Sequence, residues 1–320
     1  MIEAAVVGLG RWGRTLVASV QAKSELLRFS RAVARHPAAH RDFARANGLE
    51  LTQDLAAVLR DPATQAVVLA TPHSQHLEQI LAVAAARKAV FCEKPLTLTK
   101  ADAERAVAAC EAAGVVLGVG TDKRFFPAME ELTRIVKSGE LGPLLHLEAN
   151  FSNEVAAAMT SAWRHDPEES PAGGLTGTGI HVLDALVRLA GPVRRVEAQL
   201  ISLKPPPDPH DTLSVLLEFE SGVSGILAAV RSTPAFWRVH AFGRLGSAEA
   251  RGRNELILRG SRAEPRQLSF PDRDSVRASL EAFAEAVAGI APYPIPTSEI
   301  VATVAAFEAI TRRVALPTSK

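Results

Sequence analysis

Close to its start the chain reads Ala4-Ala5-Val6-Val7-Gly8-Leu9-Gly10-Arg11-Trp12-Gly13-Arg14-Thr15-Leu16-Val17, an apolar run broken by three glycines and resumed with helical spacing. No other stretch constrains the fold as tightly. An apolar strand delivers the chain to Gly8, Gly10 lets backbone approach a pyrophosphate, and Gly13 lets the next helix pack close on the strand. Unbonded N–H groups opening that helix, together with its dipole, favour the phosphates. Arg11 and Trp12 lie inside this turn and share its assignment to a dinucleotide site.

At 320 residues the chain is long enough for two cores. Its 36 basic and 35 acidic residues leave a net charge of +1, without the basic footprint of nucleic-acid or anionic-membrane binders. A small molecule is the expected partner. Cys92 and Cys110 lack metal-ligand spacing and read as buried thiols of a reducing compartment. With no signal-peptide pattern and no apolar run long enough to span a bilayer, the expectation is a soluble cytoplasmic protein.

Strand and helix patterns then alternate as in a parallel, doubly wound sheet: a helix Arg14 to Ala22, a strand Leu26 to Ala34, a helix Ala38 to Asn47 and a strand Ala66 to Ala70. Where NAD-preferring sites place a carboxylate after the second strand, this chain has Ala34-Arg35-His36-Pro37. Arg35, with His36 or Ser30 as further donors, suits a 2′-phosphate, which favours NADP(H) over NAD(H). Thr71, Pro72, His73 and His76 follow the Ala66 strand, where ligands of such sheets collect. They read as a cofactor-lining loop rather than a metal pair, since no third ligand is near.

The next strand, Ala89-Val90-Phe91-Cys92, ends in Glu93-Lys94-Pro95. A lysine at that strand end can hydrogen-bond a substrate hydroxyl or the nicotinamide ribose and stabilise developing alkoxide. The alternative is a surface Glu-Lys pair of little energetic value.

The glycine turn, Thr71-Pro72 with His76, and above all Glu93-Lys94-Pro95 resemble the glucose–fructose oxidoreductase, inositol dehydrogenase and MocA family (Gfo/Idh/MocA). The likeness continues through Gly118-Val119-Gly120, Arg124-Phe125-Phe126-Pro127 and Ser138-Gly139-Glu140-Leu141-Gly142 to Trp163-Arg164 and Gly173-Gly174, and so covers most of the chain. It implies an α/β Rossmann dinucleotide-binding domain followed by an α+β domain with a large, mostly antiparallel open sheet.

We place the boundary so that residues 1–121 bind NAD(P) and 122–320 bind substrate and oligomerise. After a helix from Pro127 to Ser138, extended segments run over Leu144 to Phe151, Val193 to Leu203, Leu213 to Phe219, Gly222 to Val230, Trp237 to Phe242 and Glu255 to Leu258. Apolar residues on both alternating faces of the Leu213 and Gly222 strands call for cover on both. Helices supply one cover, and the resemblance implies a homodimer or homotetramer through the open face.

A helix from Gly179 to Ala190 carries His181 and Asp184 on one face. His181 is the candidate acid or base for the substrate hydroxyl, oriented by Asp184. Its bland alternative is a helix-start histidine bonded only to backbone. Asp122, Arg124, Trp163, Arg164 and Thr178 are further candidates for lining the substrate.

The family pattern here is Asp-x-Gly-x-His-x-x-Asp, and this chain has Gly177 at its first aspartate. Three arrangements stay open. Lys94 and His181 suffice, with Thr176 or Thr178 holding a hydroxyl; or Asp122 supplies the acid; or the site binds without turnover. The resemblance implies hydride transfer between nicotinamide and a secondary alcohol or ketone of a sugar- or inositol-like substrate. A cofactor- or sugar-sensing regulator is the alternative.

Overall fold

The computed structural model describes residues 1–153, 166, 168–201, 212–231, 233–260 and 264–315. Two compact units emerge, Met1–Asp122 with Asp274–Ile300, and Lys123–Arg273 with Val301–Lys320. The chain first changes unit between Asp122 and Lys123. The later return of the chain to the first unit is not visible in a linear reading.

The first unit alternates β1 (Ile2–Val7), α1 (Arg11–Val20), β2 (Leu27–Val33), α2 (Arg41–Ala46), β3 (Glu50–Thr52), α3 (Leu55–Arg60), β4 (Ala66–Leu69), α4 (His76–Ala85), β5 (Ala89–Cys92), α5 (Lys100–Ala113) and β6 (Leu117–Val119). Its six strands are all parallel in the order β3-β2-β1-β4-β5-β6. That order reverses beside β1 and places the crevice at the carboxyl ends of β1 and β4, directly after Gly8 and Thr71. β4 and β5 are buried at every residue, as strands covered on both faces require.

The returning segment supplies α8 (Ser275–Val287), capped by Asp274, whose carboxylate accepts from the N–H groups of Val276 and Arg277. Leu280, Phe283 and Ala284 of α8 join the core built from β1, β2, α1 and Phe91. Tyr293 follows, and its hydroxyl bonds both N–H and C=O of Val119 at 3.2 and 3.1 Å. These residues complete the first unit's core.

The second unit holds α6 (Pro127–Lys137), β7 (Leu144–Ser152), α7 (Ile180–Ala190), β8 (Val193–Ile201), β9 (Thr212–Phe219), β10 (Ser224–Val230), β11 (Phe236–Gly243), β12 (Gly246–Arg251), β13 (Glu255–Gly260) and β14 (Arg266–Ser269). The strands form one sheet, β14-β13-β12-β11-β7-β10-β9-β8, antiparallel except for the β7–β10 pair. The last helix, α9 (Thr297–Ala315), begins in the first unit and ends in the second.

One face of this sheet is apolar, with Leu147, Val215, Leu217, Leu227, Val239, Ala248 and Leu256 all buried. The opposite face carries one row across every strand, Glu197, Leu216, Ile226, Glu148, His240, Glu249, Ile257 and Gln267. Only Leu216 and Ile226 in that row are exposed large hydrophobics, 58% and 41% accessible. Ser214 and Glu218 flank Leu216 on β9, so the outward face is less apolar than the alternation suggested.

Candidate active site

Gly8 has φ of +95°, and a Cβ there would lie 2.6 Å from the Ala70 carbonyl oxygen. A Cβ on Gly13 would sit 1.9 Å from the Gly8 carbonyl oxygen. Both positions therefore demand glycine, one for backbone conformation and one for the approach of helix to strand. Gly10 differs, because no described residue lies within 4 Å of the side chain it lacks. That open space faces the start of α1, which has no side-chain cap and no acidic residue in its first turn. An anion meets free N–H groups and a positive dipole end there.

Arg11 is exposed and Trp12 half-buried in that first turn. Arg35 and His36 are exposed just beyond β2, and the Arg35 carbonyl is tied at 2.9 Å by the Gln53 side chain. Two further groups gather nearby that the sequence reading did not single out. Arg14 donates from Nε to the Leu9 carbonyl at 3.2 Å and places Nη2 2.9 Å from His40 Nδ1. Burial, Arg14 and His36, in that order, lower the His40 pKa. Only the helical spacing of Arg14 after the glycine turn hinted at this basic cluster.

Thr71 donates to the Gln79 side chain at 2.7 Å, and Pro72 leads into a short 3-10 turn at His73–Gln75. His73 is buried and meets His76 edge to face with centroids 5.6 Å apart. His76 is fully buried, its Nδ1 lying 3.0 and 3.2 Å from the Pro95 and Leu96 carbonyls and its Nε2 3.2 Å from that of Thr71. Both ring nitrogens face backbone, so the side chain acts as a strut between the loops after β4 and β5.

Lys94 is half-buried and precedes Pro95 through a cis peptide bond, while Glu93 beside it is buried. Burial raises the Glu93 pKa to about 7, with the Trp12 side chain, Lys94 and the Lys94 backbone N–H opposing and Asp122 reinforcing the rise. Asp122 is buried as well and accepts from the Ser275 hydroxyl of α8 at 3.2 Å.

In the second unit His181 is buried in the first turn of α7, directly after a π-helical turn at Leu175–Gly179. Its ring packs edge-on to Phe151 at 5.8 Å, and Phe151 in turn meets Trp237 at 5.3 Å. Asp184 does not orient His181 as expected. Its carboxylate takes a two-pronged contact from Arg124, Nε to Oδ2 at 2.6 Å and Nη2 to Oδ1 at 2.7 Å, with Thr303 at 3.3 Å from Oδ1. Arg124, expected to line the substrate, is buried and pairs with Asp184.

Thr178 and Thr176 donate to the carbonyls of Gly174, at 2.8 Å, and of Pro171. These bonds use the hydroxyl protons within the turn and leave the oxygens as acceptors. Among the described residues, a Cβ on Gly177 would meet nothing within 4 Å. Trp163 and Arg164 lie outside the described residues.

The fold and the glycine turn define a Rossmann-type dinucleotide-binding protein with a second, sheet-based unit. The chain belongs to the Gfo/Idh/MocA family: residues 2–121 match "Oxidoreductase family, NAD-binding Rossmann fold" and residues 129–249 match "GFO/IDH/MocA C-terminal domain". Trans-1,2-dihydrobenzene-1,2-diol dehydrogenase of Mus musculus is 30% identical over 209 residues, 64% of this chain and 61% of that enzyme. The match thus spans less than two thirds of that relative's length. The rhizopine catabolism protein MocA of Rhizobium meliloti is 27% identical over 96% of this chain and 93% of its own. A levoglucosan dehydrogenase solved with NADH and levoglucosan shares the fold, with TM-score 0.86, 21% identity, and 98% and 97% of the two chains covered.

Proposed function

We propose that this protein is an NADP(H)-preferring oxidoreductase that moves a hydride between nicotinamide and a secondary alcohol or ketone of a polyhydroxylated or cyclic substrate. The observation that carries the reading is the uncapped start of α1 beneath the open space at Gly10, in a chain of an oxidoreductase family. Arg35 and His36 support the 2′-phosphate preference, since both are exposed beyond β2 where a carboxylate would select NAD(H).

The bound cofactor supplies the hydride chemistry. Lys94 holds and polarises the reacting oxygen, and His181 takes the hydroxyl proton or returns it in the reductive direction. Of the three arrangements left open by Gly177, the pair of Lys94 and His181 is our choice. The diol and sugar dehydrogenases among the relatives support the substrate class.

A second reading, a sensor of cofactor or sugar without turnover, is favoured by the absent side chain at Gly177. We also propose a cytoplasmic location and assembly of copies through the open sheet face. Among the described residues no helix is long and apolar enough to cross a membrane.

Fluorescence titration with NADPH and NADH tests the cofactor reading. NADPH should bind at least about tenfold more tightly, ~1.4 kcal/mol, and Arg35→Ala should erase the difference. Equal binding, or tighter NADH, overturns the preference. A polyol and ketone panel then separates enzyme from sensor by whether any substrate sustains turnover.

A further inference from the structure

The turn after β2 is rich in bases and empty of acids. From Ala34 to Arg41 the chain reads Ala-Arg-His-Pro-Ala-Ala-His-Arg, and the first turn of α1 holds no acidic residue either. These two segments leave the sheet side by side, because Val7 pairs with Val33 and the Gly8 N–H donates to the Val33 carbonyl at 2.9 Å. The Ala39 N–H donates to the His36 carbonyl at 3.1 Å and helps fold Pro37–His40 into a 3-10 turn.

Arg14 ties the two segments together. Its Nε donates to the Leu9 carbonyl at 3.2 Å, its guanidinium carbon lies 5.2 Å from the centre of the Phe43 ring on α2, and its Nη2 sits 2.9 Å from His40 Nδ1. Arginine only donates, so Nδ1 accepts this bond and the neutral ring carries its proton on Nε2. Among the described residues that Nε2 has no protein partner, and Arg14, Arg35, His36 and Arg41 have no carboxylate within ion-pair distance. Asp42, the next acid along the chain, is paired with Arg45 at 2.8 Å. A strut between loops would need only the bonds Arg14 already makes. The imidazole adds a donor that nothing in the protein uses, beside positive charge that nothing there offsets, and this combination suits a compact dianion.

We infer that Arg14 and His40 are specificity-determining residues for a phosphate on the ribose 2′ position, with Arg14 orienting the imidazole so that its Nε2–H donates to that phosphate. This rests on the cofactor reading above and extends it from Arg35 and His36 across to the glycine turn. In Rossmann sites the residues after the second strand read the ribose 2′ position, and Arg35, His36 and His40 all belong to that turn. Burial, Arg14 and His36 lower the His40 pKa, in keeping with the neutral tautomer that the Arg14 bond requires.

The test measures NADH and NADPH dissociation constants by calorimetry on the full chain and reads their ratio, in which effects common to both nucleotides cancel. In His40→Ala the NADH-to-NADPH ratio should fall at least about fivefold below wild type, as loss of one hydrogen bond to a charged group implies. His40→Gln, whose amide accepts from Arg14 and also donates, should keep the ratio within about twofold. Arg14→Met keeps apolar contact with Phe43 but releases the ring, and should lower the ratio as His40→Ala does. A wild-type preference for NADPH that survives either His40→Ala or Arg14→Met unchanged overturns this inference and leaves the cofactor reading standing. A wild type without that preference overturns both, and a His40→Gln ratio as low as that of His40→Ala overturns the donor role given to Nε2.

Discussion

Arg124 and Asp184 face one another with side chains 2% and 3% accessible. A charge at such depth is tolerated because its partner and hydrogen bonds replace water, and removing one member leaves the other stranded. Arg124→Met should therefore lower unfolding stability by ~3–5 kcal/mol, read by urea denaturation. Arg124→Lys should rescue only part of the loss, because an ammonium cannot reproduce the two-pronged geometry. Substrate KM is the control, since a lining role would raise KM without a matching loss of stability. The sequence showed both residues but not their partnership, because a contact 60 positions apart leaves no local signature.

At the scale of elements, the glycine turn and the β1–α1 unit were legible because their glycines answer to backbone geometry within a few residues. The strands β4 and β5 were equally plain as short apolar runs. Less visible was β12, Gly-Ser-Ala-Glu-Ala-Arg, whose residues have weak strand preference. It forms because β11 and β13 pair on either side and because Arg238, Arg251 and Arg259 surround the buried Glu249. Equally hidden was the π-helical turn before α7, which sets the environment of Gly177. Since no described residue crowds that position, Gly177→Asp should fold with a Tm within about 3 °C of wild type, a shift of under ~1 kcal/mol. Thermal melts check this, and a gain in turnover in the same variant would show that the site accepts the acid of the family pattern.

On the whole molecule, the row from Glu197 to Gln267 is where copies should meet. Leu216 and Ile226 are direct cross-strand partners at its exposed apolar point, and Glu148, Arg238 and Glu249 lie beyond as a charged flank. Leu216→Arg should convert a dimer or tetramer to a smaller species, measured by light scattering after size exclusion. An unchanged mass would overturn assembly through this face. The alternation of β9 pointed to this face, but its polar neighbours Ser214 and Glu218 emerged only with the register.

The return of Asp274–Ile300 to the first unit sets an order for biogenesis. On a ribosome, β1 to β6 emerge long before α8, yet Phe283 fills the place against Phe91 and Gly118, its ring 5.5 Å from that of Phe91. Until that helix leaves the exit tunnel the nucleotide-binding half keeps an apolar seam open. A chain stopped before Asp274 would lack Phe283 and so leave the Phe91 and Gly118 side of the first unit without that cover.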